Sequence, residues 1–340
     1  MIKRDKQRTK PILSPEGSDD SSKFEQSLRP NSLREYIGQE EVKKNLEIFM
    51  NAAKKRDECL EHTLIHGPPG LGKTTLANII AHEMGVNIKV TSGPALEKQG
   101  DLASIITNLR ERDVLFIDEI HRLKPAVEEV LYTAMEDFGL DLIIGKGPSA
   151  RTMRLKLPKF TLIGATTKMS MLSSPLRDRF GSLIHLNFYD KENISKIIKR
   201  SADVLSCRIE EKAAVKLASS SRQTPRIANR LLRRVRDFAD FYGRDIVDEE
   251  IVNKALEALG IDDLGLDKID RNILETMIDK FEGGPVGLNT ISAAISEEED
   301  TVEEIYEPYL LKLGFIDRTQ RGRLVTARGY EHLGKSIIKK

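Results

Sequence analysis

The segment Gly67-Pro68-Pro69-Gly70-Leu71-Gly72-Lys73-Thr74 constrains this chain more than any other. It follows a short apolar run, Thr63-Leu64-Ile65-His66, and opens an amphipathic stretch that reaches about His82. Strand, glycine-rich turn and helix in that order are the setting the pattern G-x-x-x-x-G-K-[ST] requires. Glycines let successive backbone N–H groups wrap an anion, while the helix aims the positive end of its dipole at it. Lys73 is then placed to neutralise β- and γ-phosphate charge, and the Thr74 hydroxyl to ligate Mg²⁺. The ligands implied are ATP and Mg²⁺. A plain glycine turn between strand and helix is the bland alternative, and the flanking pattern weighs against it.

The rest of the first half repeats the same alternation. Further apolar strands are expected at Asn87–Ser92, Val114–Ile117 and Phe160–Ala165, with helices over Glu40–Arg56 (Val42, Leu46, Phe49 and Met50 inward) and Asp101–Arg110. Continuously apolar strands between helices predict a parallel sheet covered on both faces. After about Tyr189 only helices are expected, through about Gly260. From about Leu264 come three helical stretches, Asp267–Phe281, Asn289–Ser296 and Thr301–Leu313, then two strands around Gln320-Arg321-Gly322-Arg323. Three helices and a β-wing describe a winged helix. The chain therefore divides into a polar tail over 1–23, too poor in apolar groups to order itself, and units at 24–189, 190–262 and 263–340.

Val114-Leu115-Phe116-Ile117 ends in Asp118-Glu119. At the end of a buried strand, Asp118 suits the Mg²⁺ shell and Glu119 suits orienting and polarising a water; a solvated strand end reads equally well in isolation. The strand Thr161–Ala165 ends in Thr166-Thr167, where a hydroxyl either senses a γ-phosphate or caps the strand. In Ser174-Pro175-Leu176-Arg177-Asp178-Arg179-Phe180, two arginines at i, i+2 cannot face one way. One forms internal pairs while the other projects, or both are ordinary surface charges.

Composition narrows the partners. With Lys+Arg 54 against Asp+Glu 53, the net charge of +1 gives no global attraction to nucleic acid, so any binding is local. Residues 297–307 carry seven carboxylates and no base, whereas 312–340 carry eight Lys/Arg and two acids. This polarity suggests a basic wing on phosphates, with Arg318 and Arg323 as contacts and Arg321 as a weaker one, and an acidic third helix facing away. A solvated charge run is the alternative. Cys59 and Cys207 have no metal-ligand spacing. Without a signal peptide or a bilayer-length apolar run, the chain reads as cytoplasmic with no membrane role.

Taken together, GPPGLGKTTLANIIA, VLFIDEIHRL, IGATT, SPLRDRFG and TPRIANRLLRRVRD, in this order and spacing, resemble the RuvB family of AAA+ Holliday-junction branch-migration ATPases. The resemblance runs from about Phe24 to about Gly334. It implies an α/β AAA+ P-loop domain, a helical lid and a C-terminal winged helix, assembled as a homohexameric ring on double-stranded DNA and acting with RuvA and the RuvC resolvase. It implies that Arg179 acts in trans, that Arg226 is the sensor-2 arginine, and that Leu28, Arg29 and Ile37 line the adenine pocket. Thr75, Glu136, Asp137, Phe138, Thr166 and Tyr189 match further nucleotide-site positions. A hairpin read over 142–158, turning at Gly145–Pro148, matches the one that docks RuvA, through Met153 and Leu155; packing on its own domain is the plain alternative. Lys168 departs from the arginine common in the family. Two other readings stay open. A clamp-loader-like AAA+ switch usually carries a zinc module, which two isolated cysteines cannot build. Against a non-hydrolysing winged-helix regulator stand Lys73, Thr74, Asp118 and Glu119, all intact.

Overall fold

The computed structural model describes residues 27–144 and 151–336. The expected tail over 1–23 and the hairpin turn Gly145–Pro148 lie outside the described residues.

The first unit is a parallel sheet, β1 (Thr63–His66), β2 (Ile88–Ser92), β3 (Val114–Asp118), β6 (Thr161–Thr166) and β7 (Ser182–His185), in the order β2-β3-β6-β1-β7. Between β3 and β6 the chain makes a separate antiparallel hairpin, β4 (Gly139–Ile144) and β5 (Arg151–Lys156), with Leu140 opposite Leu155. Flanking helices are α1 (Glu40–Arg56), α2 (Lys73–Met84), α3 (Gln99–Ile106), α4 (Pro125–Glu136) and the short α5 (Ser174–Arg177). Strand side chains alternate between two cores, as a pleat demands. Ile65, Phe116 and Ile163 face one; Leu64, Leu115, Ile117 and Leu162 face the other. Both faces are covered, which is why these strands read as unbroken apolar runs.

Two expectations need correction here. On α1, Leu46, Met50 and Ala53 are buried and Val42 packs against the same core, while Phe49 is 46% exposed. The strand β7 has no counterpart in the sequence reading. It sits at the sheet edge with Ile184 buried and Leu183 outward, so its pattern is too short and one-sided to register.

The lid comprises α6 (Lys191–Val204), α7 (Glu211–Ser219), α8 (Pro225–Phe241) and α9 (Glu249–Leu259), plus a two-residue parallel pair, β8 (Arg208–Ile209) with β9 (Ile246–Val247). Its core is continuous with one face of the sheet. The last unit has its own core and holds α10 (Lys268–Phe281), α11 (Leu288–Ile295), and a helical run of α12 (Glu299–Thr301), a π turn (Val302–Tyr306) and α13 (Glu307–Leu313). The wing β10 (Ile316–Thr319) and β11 (Gly322–Val325) and a final helix α14 (Ala327–His332) complete it. Asp267 caps α10 by accepting from the backbone N–H groups of Ile269 and Asp270.

The acidic run does not face away, as the charge pattern suggested. Glu307 accepts from the Arg323 guanidinium at 3.0 and 2.9 Å, Glu303 lies 3.6 Å from Arg318, and Asp300, Glu303 and Glu304 surround Lys168 of the first unit. Among the described residues no helix is long and apolar enough to cross a membrane.

Candidate active site

The carboxyl ends of β1, β6 and β3 lie side by side, because β6 pairs with both of the others. This edge is where parallel α/β sheets hold ligands. Gly67 leaves β1 at φ +145°, and a Cβ there would stand 2.5 Å from the Leu186 carbonyl oxygen. Gly72, at φ +98°, sits immediately before α2. Both positions need a residue without a Cβ.

The cleft over this loop is lined by Arg29, Gly70, Gly72, Lys73, Thr74, Thr75, Asp118, Glu119, Arg226 and Asn229 and encloses about 710 Å³, counting space open to solvent. Lys73 is buried, and its ammonium donates to the carbonyls of Gly67 (2.8 Å) and Pro68 (3.1 Å). Burial pulls its pKa down, against the pull of Glu119 and Asp118. Thr74 Oγ1 lies 3.5 Å from Asp118 Oδ2. A hydroxyl and a carboxylate are hard oxygen donors, and together they fit Mg²⁺, which keeps several waters and takes few protein ligands.

Glu119 follows at φ +47°. Its Oε2 accepts from Thr167 Oγ1 at 3.2 Å and lies 3.3 Å from His121 Nδ1. Burial first, then Asp118, raises its pKa, which makes it a stronger base than a free carboxylate. Thr166, the hydroxyl assigned by resemblance, points elsewhere: it is fully buried, 2.9 Å from His121 Nδ1, and accepts from the Lys168 N–H. Adjacent strand residues face opposite sides, and at this strand end it is Thr167 whose hydroxyl reaches Glu119.

A second pocket of about 490 Å³ continues from the first, sharing Arg29, Gly72, Thr75, Pro225 and Asn229. Leu28, Ile37 and Tyr189 meet in it. Tyr36, which the sequence reading passed over, holds it together: the Tyr189 hydroxyl donates to Tyr36 Oη at 3.2 Å. Arg226 enters at the start of α8, its N–H donating to the Gly70 carbonyl at 3.3 Å. Asn229, one turn further along α8, was also missed, although the i, i+3 spacing from Arg226 marks it.

Arg179, Glu136, Asp137 and Phe138 line none of this. Arg179 Nη2 lies 3.1 Å from Glu136 Oε1, and its guanidinium covers the Tyr132 ring at 4.5 Å. Asp137 pairs with Arg154, and Phe138 packs edge-on against Phe160. Of the two arginines it is therefore Arg179 that forms internal pairs, while Arg177 is the more exposed. On the hairpin Met153 is 47% exposed and Leu155 packs against the domain core. On the wing Arg318 and Arg321 are exposed, whereas Arg323 is turned in on Glu307.

A phosphate loop on β1, an acidic pair on β3, hydroxyls between them and a lid arginine over the cleft define a P-loop protein of the AAA+ class. Three family models cover the chain almost end to end: the Holliday junction DNA helicase RuvB P-loop domain over residues 28–186, the RuvB AAA lid domain over 189–262, and the RuvB C-terminal winged helix domain over 263–334. A structure described as the Thermotoga maritima RuvB Holliday junction branch migration motor is 52% identical, with TM-score 0.85, covering 92% of this chain and 100% of that one. A point variant of Thermotoga maritima RuvB is 53% identical, with TM-score 0.85 and coverage of 92% and 99%. The ORC2 protein of Aeropyrum pernix, 16% identical with TM-score 0.54 over 88% and 92% of the two chains, shares the fold alone. The chain belongs to the RuvB family.

Proposed function

We propose that this chain is the ATP-hydrolysing motor that drives branch migration of Holliday junctions, as a ring hexamer on duplex DNA with RuvA and RuvC as partners. The observation that carries the reading is the convergence of Lys73, Thr74, Asp118, Glu119 and Arg226 on one cleft. In use, Lys73 exchanges its two loop carbonyls for phosphate oxygens, and Glu119, freed from Thr167, orients the attacking water. Mg²⁺, held by Thr74 and Asp118, supplies neutralisation of phosphate charge. Leu28, Ile37 and Tyr189 hold the base, and Arg226 draws the lid toward the nucleotide.

The resemblance alone assigns Arg179 to the neighbouring subunit's site, where it would exchange Glu136 for phosphate oxygens, and it alone assigns Glu136, Asp137 and Phe138 to the nucleotide. Met153, exposed on the hairpin, is assigned to RuvA with Leu155 beneath it. Arg318 and Arg321 are assigned to DNA phosphates, and Arg323 to the same surface once released from Glu307. Strand exchange on a synthetic four-way junction with RuvA and ATP tests the whole reading; an undisturbed junction sinks it. Mixing Glu119→Gln with Arg179→Ala chains tests assembly. Each alone should be inactive, and mixed rings should recover turnover.

A further inference from the structure

A carboxylate of the winged-helix unit reaches the ATPase cleft. Beside the phosphate loop, a cavity is walled by Gly70, Glu119, Thr167 and Arg226 on one side and by Glu304 and Tyr309 on the other. Lys168, the next residue after Thr167, binds this acidic turn. Its Nζ stands 2.9 Å from Glu304, 3.1 Å from Asp300 and 3.3 Å from Glu303, and its side chain is 17% exposed. A lone exposed ion pair contributes little. Several carboxylates converging on one largely covered ammonium form a network whose members depend on each other.

Both ends of this network lead somewhere. Toward the nucleotide, the Lys168 N–H donates to Thr166 Oγ1 at 3.0 Å, and Thr167 Oγ1 donates to Glu119 Oε2 at 3.2 Å. Any shift of Lys168 therefore moves the hydroxyl that restrains Glu119. Toward the wing, Glu303 is shared: its Oε2 faces Lys168, while its Oε1 lies 3.6 Å from Arg318. Arg318 is 59% exposed, so duplex phosphates can take it from Glu303. The contact lies within the π turn Val302–Tyr306, a widened helical turn of the kind found at functional sites.

Building on the reading as a DNA-stimulated ATPase, we propose that Lys168 is a positioning residue that couples occupancy of the wing by DNA to the placement of Glu119, with Glu303 as the shared link. DNA draws Arg318 away, Glu303 settles fully on Lys168, and the end of β6 shifts the hold of Thr167 on Glu119. Lys168 lines neither the phosphate cleft nor the pocket continuous with it, so its effect should be read in the ratio of turnover with and without DNA rather than in nucleotide affinity.

The test is steady-state ATP turnover of the full chain, with and without linear duplex. Duplex affinity is measured alongside by fluorescence anisotropy of a labelled strand. Lys168→Ala and Glu303→Gln should each cut the stimulation ratio about fivefold or more, as a coupling free energy of ordinary size implies. KM for ATP should stay at its wild-type value, and duplex affinity should not fall in either variant, since Glu303→Gln only removes a competitor for Arg318. Lys168→Arg should restore the ratio. Because Glu303 is a surface residue, its variant reports even if Lys168→Ala destabilises the chain. The proposal is overturned if both variants keep the wild-type ratio, if the ratio falls only in step with duplex affinity, or if Lys168→Arg fails to restore it. A wild-type chain that DNA does not stimulate would instead overturn the motor reading itself.

Discussion

Replacing Arg222 by leucine should destabilise the protein in a way that grows with pH. Arg222, in the loop before α8, is 2% exposed at its side chain, and its Nη1 lies 3.0 Å from Asp270 Oδ2 of α10, itself 0% exposed. Its Nη2 donates to the Ile305 carbonyl at 3.0 Å, and the guanidinium covers the Tyr309 ring at 4.9 Å. It thus rivets the lid to the winged helix. Removing one partner of a buried pair costs about 3–5 kcal/mol, because the other charge is left stranded. Asp270 already resists ionisation: burial outweighs Arg222 and pushes its pKa up to about 7.

The sign of the pH effect follows from which state holds the proton. An unfolded aspartate releases it near ~3.9. Between there and the folded value the native chain binds more protons, so stability falls as pH rises, by about 1.4 kcal/mol per unit. In the wild type the fall ends near about 7, where folded Asp270 ionises. Without the guanidinium the folded pKa climbs higher and the fall continues. From about pH 7 to about pH 8.5 the deficit should widen by roughly 2 kcal/mol, or about 3 °C in melting temperature for a chain of this length. Scanning calorimetry of wild type, Arg222→Leu and Arg222→Leu/Asp270→Asn over that range reads it. The double variant has no carboxyl to titrate and should lose the widening. A deficit that is flat with pH, or one that persists in the double variant, refutes the reasoning.

Gly67→Ala should weaken binding of a fluorescent ADP analogue by about tenfold or more, since a Cβ 2.5 Å from the Leu186 carbonyl moves the loop. Glu119→Gln should lower turnover by roughly 10²–10⁴-fold while ATP binding, measured by calorimetry, survives. Chelating Mg²⁺ should stop turnover, and adding it back should restore it. Met153→Asp should abolish co-elution with RuvA on size exclusion while changing stability by no more than about 0.5 kcal/mol, the usual range for an exposed site.

The central sheet was legible because both of its faces are buried, so strand and helix periods separate cleanly in Leu64-Ile65, Val114–Ile117 and Leu162-Ile163. The phosphate loop was legible because its chemistry is local: glycines, lysine and threonine are consecutive. Asp118 and Glu119 were legible for the same reason. What was lost depends on direction. Thr166 and Thr167 are chemically alike, and only the pleat decides which one meets Glu119. Tyr36 adjoins Ile37, but its partner Tyr189 is remote in sequence, so nothing local marks the pair.

Charge misled for a related reason. A run of acids followed by a run of bases predicts two surfaces facing apart only if neither run is the other's partner. Here Arg318 and Arg323 are opposed across the wing and so lie on one face, which is turned toward Glu303 and Glu307. Arg323 and Glu307 neutralise each other at 11% and 4% side-chain exposure. The same acidic turn meets Lys168, more than a hundred residues earlier in the chain. Net composition is blind to such pairing, because each contact removes one charge of either sign from the surface and leaves the sum at +1. Arg318 and Arg323, held by internal carboxylates, bind phosphate only by exchanging one partner for another. That exchange is what makes DNA binding able to report to the nucleotide site.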